Sequence, residues 1–176
     1  MLSIQIREAT LADIPVIQSL AEKTWRPTYD SILTEEQTLY MLDWMYSDES
    51  LYKQFMTNTF LLLESAKVPV GFVAFERKND SILKIHKIYL LPEMQGKGLG
   101  KVLLNEVVLR ATKWQYELIE LNVNRTNTAV KFYQNYGFAI VEEVDIEIGN
   151  DFWMNDYVMQ LPIEPITQKL EVDGLD

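Results

Sequence analysis

Residues 88–100 read IYLLPEMQGKGLG, an apolar run that is broken by Pro92 and followed by three glycines at alternate positions. The whole chain has only 7 glycines among its 176 residues. A strand that leads into a glycine-rich turn and then into a helix presents backbone N–H groups and the positive end of the helix dipole at one point. Glycine also lets the backbone approach an anion closely and adopt positive φ. The stretch therefore predicts a phosphate-binding turn between a strand and a helix.

Three other interpretations of this turn fit the residues less well. A Walker nucleotide loop ends in Gly-Lys-Ser/Thr, whereas Gly100 precedes Lys101 and Val102. A dinucleotide-binding fold would place another glycine three residues after Gly100, where Leu103 stands, and its turn usually follows the first strand of a parallel unit. A turn that merely reverses the chain has little use for three glycines in a glycine-poor protein.

The length and composition indicate a single globular unit, because 176 residues, 48% of them hydrophobic, can bury a substantial core. We expect one domain over residues 1–162 and a mobile acidic tail over residues 163–176. No stretch reaches the roughly 20 apolar residues of a membrane span, and the N-terminus lacks the basic start and apolar middle of a signal peptide. We therefore expect a soluble, cytoplasmic protein with no membrane partner.

The charged and metal-binding residues argue against several classes of function. A net charge of −10 argues against nucleic-acid binding, because proteins that bind nucleic acids usually carry a basic surface. The absence of cysteine excludes disulfides, thiolate metal sites and a cysteine nucleophile, and the single histidine, His86, excludes a histidine-rich metal site. We expect no metal, so any chemistry must use other groups.

The order of periodicities along the chain predicts an α/β (α+β) fold. A first alternating segment indicates a strand, and helical spacing follows from Thr10 and from Thr34, with Pro27 interrupting the first helix. Three short β-rich segments between residues 59 and 91 predict three successive antiparallel strands. A helix, a buried strand, an Asn-capped helix that ends at Gly137 and two closing strands complete a mixed sheet flanked by helices.

Two motifs carry a resemblance that covers almost the whole chain. Residues 95–100, QGKGLG, match the Gln/Arg-x-x-Gly-x-Gly/Ala signature of the GNAT superfamily of acetyl-CoA-dependent N-acyltransferases. Residues 124–138, NRTNTAVKFYQNYGF, resemble a second segment of the same superfamily and follow at the expected distance. Within the superfamily, the sequence looks most like the bacterial branch that includes the PaiA-type spermidine and spermine acetyltransferases.

The resemblance implies a mixed, mostly antiparallel central sheet with a V-shaped splay between its fourth and fifth strands, into which acetyl-CoA inserts. The pyrophosphate of the cofactor is assigned to the glycine turn and the start of the next helix, that is, to Gln95, Gly96, Lys97, Gly98, Leu99, Gly100 and Lys101. The pantetheine arm is assigned to the fourth strand, at Ile88, Tyr89 and Leu90. Two further cofactor contacts are assigned to Asn127 and, near the cofactor sulfur, to Tyr133.

Acetyl transfer from a thioester to an amine needs a neutral amine, a polarised carbonyl and a protonated leaving thiolate. A backbone N–H near Leu90 would polarise the thioester oxygen, as in an oxyanion hole. Tyr133 would donate a proton to the departing sulfur, since a phenol has a pKa of about 10. The alternative for Tyr133 is a packed aromatic residue on an amphipathic helix, and its place in the second motif favours the functional role.

The base that deprotonates the amine is the least defined part of the predicted site. Many relatives place a glutamate on the fourth strand where this sequence has Lys84. His86 lies two residues later, on the same strand face if the period of two holds, and its ordinary pKa of about 6.5 suits proton transfer. The alternatives are that His86 is a structural group, or that no base is needed because a fraction of the amine is already neutral.

The acceptor side of the resembled fold is built from the first two helices and the loop between the last two strands. Aromatic and acidic residues in these segments suit a cationic amine through cation–π contacts and charge pairing, although a solvated acidic surface is an equal alternative. The residues that we assign to the acceptor are Trp25, Tyr29, Asp30 and Phe152.

The sequence thus predicts an N-acetyltransferase in which a small-molecule amine or a peptide amine attacks acetyl-CoA directly in a ternary complex. A polyamine is the leading acceptor hypothesis. The alternatives are acetylation of protein N-termini or lysines, and a non-catalytic module that senses acyl-CoA. Many proteins of the superfamily are dimers, so the resemblance also raises the hypothesis of a homodimer, although no residue pattern specifies an interface.

Overall fold

The computed structural model describes residues 3–164. It contains seven β-strands, β1–β7, with bounds Ile4–Glu8, Thr59–Ser65, Val68–Arg77, Ile82–Leu90, Leu118–Asn124, Ala139–Gly149 and Phe152–Pro162. It contains five α-helices, α1–α5, with bounds Ile14–Tyr29, Glu35–Tyr46, Asp48–Phe55, Leu99–Lys113 and Ala129–Tyr136. None of the helices within residues 3–164 has both the length and the hydropathy that a membrane span requires.

The seven strands form one sheet in the order β1-β2-β3-β4-β5-β7-β6. Every neighbouring pair is antiparallel except β4 and β5, which are parallel. The predicted mixed, mostly antiparallel sheet with flanking helices is therefore confirmed. The parallel pair needs a crossover, and α4 provides it.

Helices cover both faces of the sheet, as the alternating side chains of β3 show. Phe72 packs its ring 6.4 Å from that of Tyr46 in α2, whereas Phe75, three residues later on the opposite face, packs against Trp114 at the end of α4. The side of the sheet that faces α1 and α2 carries most of the candidate acceptor residues. The side that faces α4 carries the helix that begins at the glycine turn.

The first helix differs from its prediction, because α1 continues through Pro27 to Tyr29 instead of being interrupted there. A proline inside a helix removes one backbone hydrogen bond and costs about 3 kcal/mol. Tertiary packing offsets that cost: Trp25 is only 2% exposed, and its indole Nε1 donates to the Tyr46 hydroxyl at 3.2 Å. A sequence pattern that is read locally does not contain this contact.

The predicted boundary between domain and tail also shifts slightly. Ile163, the first residue of the predicted tail, is buried in the core, and its N–H donates to the carbonyl of Glu117 at 2.8 Å. The core therefore reaches one residue beyond residue 162. Residues 165–176, most of the predicted tail, lie outside the described part of the chain.

Candidate active site

The central feature of the site is an opening between two strands that are paired over only half of their length. In β4 and β5, residues 82–85 pair with residues 118–121. Beyond these, β4 continues to Leu90 and β5 to Asn124 without pairing to each other. The strands therefore splay apart toward their C-terminal ends, between the fourth and fifth strands as predicted.

The inner edge of β4 presents free backbone groups to this opening. The N–H of Leu91 donates to the carbonyl of Val70 at 2.9 Å. Because backbone hydrogen bonds alternate along an antiparallel pair, the N–H and C=O groups of Ile88 and Leu90 point away from β3 and into the splay. The carbonyl of Leu90 accepts from Gln95 Nε2 at 3.2 Å, which agrees with this direction.

The inner edge of β5 is arranged in the same way. The N–H of Arg125 donates to the carbonyl of Asn155 at 3.0 Å, which continues the β5–β7 ladder. By the same alternation, the backbone groups of Asn122 and Asn124 point away from β7 and toward the splay. An extended polar chain inserted here can therefore hydrogen-bond to strand edges on both sides.

The glycine turn lies at one end of β4 and leads into α4. Gly96 has φ +72° and Gly98 has φ +77°, and a Cβ added at either position would meet nothing within 4 Å. The first backbone hydrogen bond of α4 runs from the N–H of Val102 to the carbonyl of Gly98 at 3.2 Å. Among residues 3–164, the N–H groups of residues 96–101 have no acceptor. The turn is thus an open cradle of N–H donors at a helix N-terminus, which suits the phosphates of a nucleotide cofactor.

The splay and the turn open into one cleft of about 1200 Å³. It is lined by most of the residues that the sequence assigned to the site, namely Trp25, Tyr29, His86, Ile88, Tyr89, Leu90, Gln95, Gly96, Gly98, Leu99, Gly100, Lys101, Asn127 and Tyr133. Three assigned residues do not line it. Asp30 is exposed at the end of α1, Phe152 packs its ring 5.4 Å from that of Tyr40, and Lys97 Nζ lies 3.8 Å from Met94 Sδ.

Tyr133 lies on α5 with its side chain buried against two other aromatic rings. The ring centroids of Phe132 and Phe138 are 5.3 Å and 5.8 Å from its own. Burial, together with nearby Tyr29, raises the pKa of Tyr133 well above its usual range. The phenol therefore stays protonated at any pH at which the protein would work, as a proton donor must.

Asn127 precedes α5 and holds the start of that helix. The helix begins at Ala129 rather than directly after Asn127, and the residue at its N-cap position is Thr128. Asn127 Oδ1 still accepts a hydrogen bond from the N–H of Ala129 at 2.9 Å. The predicted Asn cap is therefore displaced by one residue, and Asn127 sits where the cleft meets the α5 N-terminus.

His86 lies at a β-bulge in β4. Ala74 pairs with Lys87 and Phe75 pairs with Ile85, so His86 is an extra residue without a partner on β3. The extra residue shifts the alternation, so that Lys87 also lies on the strand face of Lys84. His86 still reaches that face, because Glu76, which it contacts, pairs directly with Lys84 and all three line the cleft. His86 Nε2 lies 2.7 Å from Glu76 Oε1, and burial lowers the pKa of the imidazole despite that carboxylate.

A cluster of aromatic side chains forms the wall of the cleft on the α1 side. The rings of Trp25 and Tyr29 are 4.4 Å apart, and the hydroxyls of Tyr29 and Tyr89 are 3.4 Å apart. Burial raises the pKa values of both tyrosines. Because Trp25 is buried and hydrogen-bonded to Tyr46, it mainly supports this wall, and Tyr29 is the better exposed of the two to a ligand.

Lys87 lines the cleft although no sequence pattern pointed to it. It is only 7% exposed, and its Nζ lies 5.3 Å from the centre of the Tyr46 ring. No hydrogen bond or ion pair of Nζ exists within residues 3–164. Burial lowers the pKa of Lys87 to about 8. A single lysine in a strand normally indicates a solvated position, and only the bulge turns this one inward.

A network of charged side chains closes the paired half of β4 and β5. Glu120, whose side chain is 4% exposed, accepts from Lys84 Nζ and Lys78 Nζ at 2.8 Å each and from Gln160 Nε2 at 2.9 Å. Burial alone would raise the pKa of Glu120, but these donors outweigh it and hold the pKa at about 2. Lys84 also contacts Asn122 Oδ1. Glu120 is therefore a permanently charged structural group.

Asp156 of β7 is a second buried carboxylate that sequence reasoning missed. It is 6% exposed and lines the cleft. Burial raises its pKa, although Asn122, Lys84 and Arg125 oppose that shift. One acidic residue among the many in the last two strands gives no signal in the sequence. The pairing of β7 with β5 is what brings it to the opening.

Comparison with known proteins agrees with this geometry. The family described as the acetyltransferase (GNAT) domain matches residues 31–160. The spermidine N(1)-acetyltransferase of Thermoplasma acidophilum is 29% identical over 163 residues, which cover 87% of this chain and 96% of that protein. The N-acetyltransferase YuaI of Bacillus subtilis, described as uncharacterized, is 26% identical over 150 residues, which cover 83% of this chain and 86% of YuaI.

Solved structures show the same fold. The PaiA N-acetyltransferase of Thermoplasma acidophilum, in complex with coenzyme A, superimposes with a TM-score of 0.79 at 25% identity. The match covers 91% of this chain and 99% of that one. The ribosomal-protein-S18-alanine N-acetyltransferase of Escherichia coli has a TM-score of 0.72 at 17% identity, and that likeness concerns the fold alone.

Proposed function

This chain belongs to the GNAT acetyltransferase family, and from that premise we propose that it transfers the acetyl group of acetyl-CoA to a primary amine bound in the cleft. Members of the family are acyltransferases, so the enzyme class follows from membership. The observation that carries the proposal is the pair of unpaired strand edges in the splay, which end at the open glycine turn. The pantetheine arm of acetyl-CoA is an extended chain with amide groups, which can pair with strand edges. The pyrophosphate at the end of that arm needs N–H donors.

Acetyl-CoA supplies an activated acetyl group as a thioester. The N–H groups of residues 96–101 would hold its pyrophosphate at the N-terminus of α4. The backbone groups of Ile88 and Leu90 on one side, and those of Asn122 and the N–H of Asn124 on the other, would hydrogen-bond to its pantetheine arm; the carbonyl of Asn124 already accepts from the N–H of Asn127. The open space next to Gly96 and Gly98 leaves room for the phosphates, so the residues present fit the cofactor.

Two groups of this chain would stabilise the charge that develops during transfer. The N–H of Leu90 points into the splay and would donate to the thioester oxygen, as a donor of an oxyanion hole does. Tyr133 is protonated at any working pH and would give its Oη proton to the departing sulfur. Both groups are fixed before the reaction, one by a strand and one by aromatic packing.

The acceptor is the less defined partner, and a polyamine is the leading hypothesis. It is supported by the similarity to a protein named spermidine N(1)-acetyltransferase. It is also supported by the cleft, where the buried carboxylate of Asp156 and the ring of Tyr29 would favour an ammonium group. The buried cation of Lys87 lies in the same cleft and sets a limit on how deep a polycation would reach.

The test is acetyl-CoA binding by calorimetry followed by a thiol-release assay with a panel of amines, namely spermidine, spermine, aminoglycosides, amino acids and basic peptides. The protein has no cysteine, so a thiol reagent detects only free coenzyme A. Release that depends on spermidine or spermine supports the polyamine hypothesis. Release only with peptides favours a protein acetyltransferase. Binding with no release for any amine favours an acyl-CoA sensor, and no binding refutes the proposal.

A further inference from the structure

Asp156 is the buried carboxylate at the open end of the splay, and no residue of the conventional glutamate type is available on β4, where Lys84 stands. We propose that Asp156 accepts the proton from the acceptor amine, and that the chain of contacts from Glu120 through Lys84 to Asn122 positions it. This inference rests on the proposed acetyl transfer and names the base of that reaction.

The register of the sheet places Asp156 on the acceptor side. Residues of β5 and β7 pair without a bulge from Leu118 opposite Pro162 to Asn124 opposite Asp156. Gln160 Nε2 donates to Glu120 Oε2, so Gln160 and Glu120 lie on the same face. By the period of two, Asp156 shares that face with Gln160. Glu120 thus marks the closed end of the splay and Asp156 marks its open end.

The other candidate bases in this cleft are already engaged. Glu120 is saturated by two lysines and one amide, and its pKa of about 2 leaves it no tendency to accept a proton. Glu76 and His86 are bonded to each other at 2.7 Å. Asp156 has a hydrogen-bonding contact with the neutral side chain of Asn122 but no ion pair within residues 3–164, so its charge is available to an ammonium group.

The charges around Asp156 suit a proton acceptor. The charged and titratable groups that face it are Lys84 from β4, Arg125 from the segment after β5 and Tyr29 from α1. Burial raises the pKa of Asp156 over the opposing effect of the two cations. A carboxylate whose pKa is raised is a stronger base than an exposed aspartate.

The proton balance is complete with groups of this chain and water. Asp156 Oδ takes one proton from the acceptor ammonium, and the nitrogen then forms the N–C bond to the acetyl carbon. The C–S bond breaks with its electron pair on sulfur, and Tyr133 Oη protonates that sulfur. The second proton lost by the nitrogen restores Tyr133, and the proton on Asp156 leaves to water. The products are the amide, the free thiol and one proton.

The experiment compares Asp156→Asn with the unmodified protein in the thiol-release assay over a range of pH. We expect kcat to fall by roughly 10²- to 10³-fold with little change in acetyl-CoA affinity. The acid limb set by Asp156 should be replaced by a limb at higher pH, where the residual rate rises only with the fraction of the acceptor amine that is already neutral. Asp151→Asn is the matched control, because Asp151 is an exposed aspartate outside the cleft and the charge change is the same.

A second variant leaves Asp156 itself in place. Arg125 is half-buried and pairs with Glu143 and Asp145, and its charge lowers the pKa of Asp156. Arg125→Gln should therefore move the acid limb of kcat to higher pH while the maximum rate is kept. Unchanged rates in Asp156→Asn, or an equal loss at every pH accompanied only by a higher KM for the amine, would overturn the role of Asp156. An acid limb that stays in place in Arg125→Gln would do the same.

The outcome for the base is separable from the outcome for the proposed function. If the unmodified protein releases no thiol with any amine, the proposed function fails and Asp156 has no reaction to serve. If the unmodified protein is active and Asp156→Asn is equally active, only the assignment of the base fails. Partial recovery of an Asp156→Ala variant by added formate would support proton transfer rather than a structural role.

Discussion

The two halves of the β4–β5 pair are built from neighbouring residues of the same strands and yet have opposite properties. In the closed half, backbone groups pair across the strands, and Lys84 and Glu120 bond side chain to side chain. In the open half, the backbone groups of Ile88 and Leu90 face no strand at all. The difference shows that the site forms where pairing between the two strands stops. The paired half sets the direction in which β4 and β5 diverge in the open half.

The same contrast appears between two of the buried carboxylates, Glu120 and Asp156. Both are nearly inaccessible, but the pKa of Glu120 is lowered to about 2 and the pKa of Asp156 is raised. The cause is the number of donors: Glu120 receives three hydrogen bonds, whereas burial dominates at Asp156. When their environments shift the pKa values of two carboxyl groups in opposite directions, one group can serve a structural role and the other a chemical role.

The largest effect should come from Gly98→Glu, a substitution in the glycine turn next to the open half. The substitution puts a β-carbon at φ +77° and a negative charge among the N–H donors that would hold the pyrophosphate. We expect acetyl-CoA affinity, measured by calorimetry, to fall by more than 10³-fold. Gly98→Ala is the control, since it carries the backbone strain without the charge and has open space for its methyl group. Equal affinities of the Glu and Ala variants would contradict the anion cradle.

The substitution Glu120→Gln should weaken the charged network that holds the closed half together. Removing this charge leaves Lys84 half-enclosed without an anion, and we expect the free energy of unfolding in urea to fall by about 3 kcal/mol at pH 7. Because the folded pKa of Glu120 is depressed, its contribution is present above an unfolded pKa of about 4.5 and is lost as the pH falls toward 2. The variant should lack that part of the acid sensitivity.

Glu117→Gln serves as the matched control for this measurement, because Glu117 is exposed and directly precedes β5. Its stability should stay within about 0.5 kcal/mol of the unmodified protein. If the free energy of unfolding falls by the same small amount in both variants, the charged network does not hold the closed half together.

A change within the open half, Tyr133→Phe, tests chemistry without breaking the architecture. The aromatic packing against Phe132 and Phe138 is kept, and only the hydroxyl is removed. We expect kcat for thiol release to fall by roughly 10²-fold while acetyl-CoA affinity is unchanged. An unaltered kcat would leave Tyr133 as a packed aromatic residue, and the sulfur would then take its proton from water.

The smallest effect should come from Lys87→Met, which removes the unpaired cation beside the open half. The pKa of Lys87 in the folded protein is about 8, below the usual value of about 10.4 for an unfolded lysine. Between these two pH values the unfolded chain binds more protons, so the unmodified protein gains stability as the pH rises through this window.

We therefore expect Lys87→Met to be more stable than the unmodified protein by about 1–2 kcal/mol at pH 7, and the difference to vanish above a pH of about 10.5. Urea unfolding at several pH values measures both quantities. Lys23→Met, at an exposed position of α1, should show no such pH dependence. A Lys87 variant that is less stable at pH 7 would indicate that the cation has an anionic partner.

Much of the site could be predicted because its signals are local. The glycines at 96 and 98 must adopt positive φ whatever surrounds them, and the order of strands and helices follows from side-chain periodicity. Tyr133 lies in α5 at a fixed distance along the chain from Asn127, so the second motif identifies both residues. The bulge at His86 could not be predicted, because a bulge is a property of two strands together. Pro27 was misjudged because the helix is held by a contact with another helix.

The sequence by itself determined the glycine turn, the element order and the family resemblance, since each depends on residues that are close along the chain. Only the tertiary structure decided which side chains face the cleft. Asp156 reaches it through the register between β7 and β5, and Lys87 through the bulge in β4. Both depend on pairing between segments far apart in sequence, and burial, which sets the pKa values of both groups, exists only after those segments have packed.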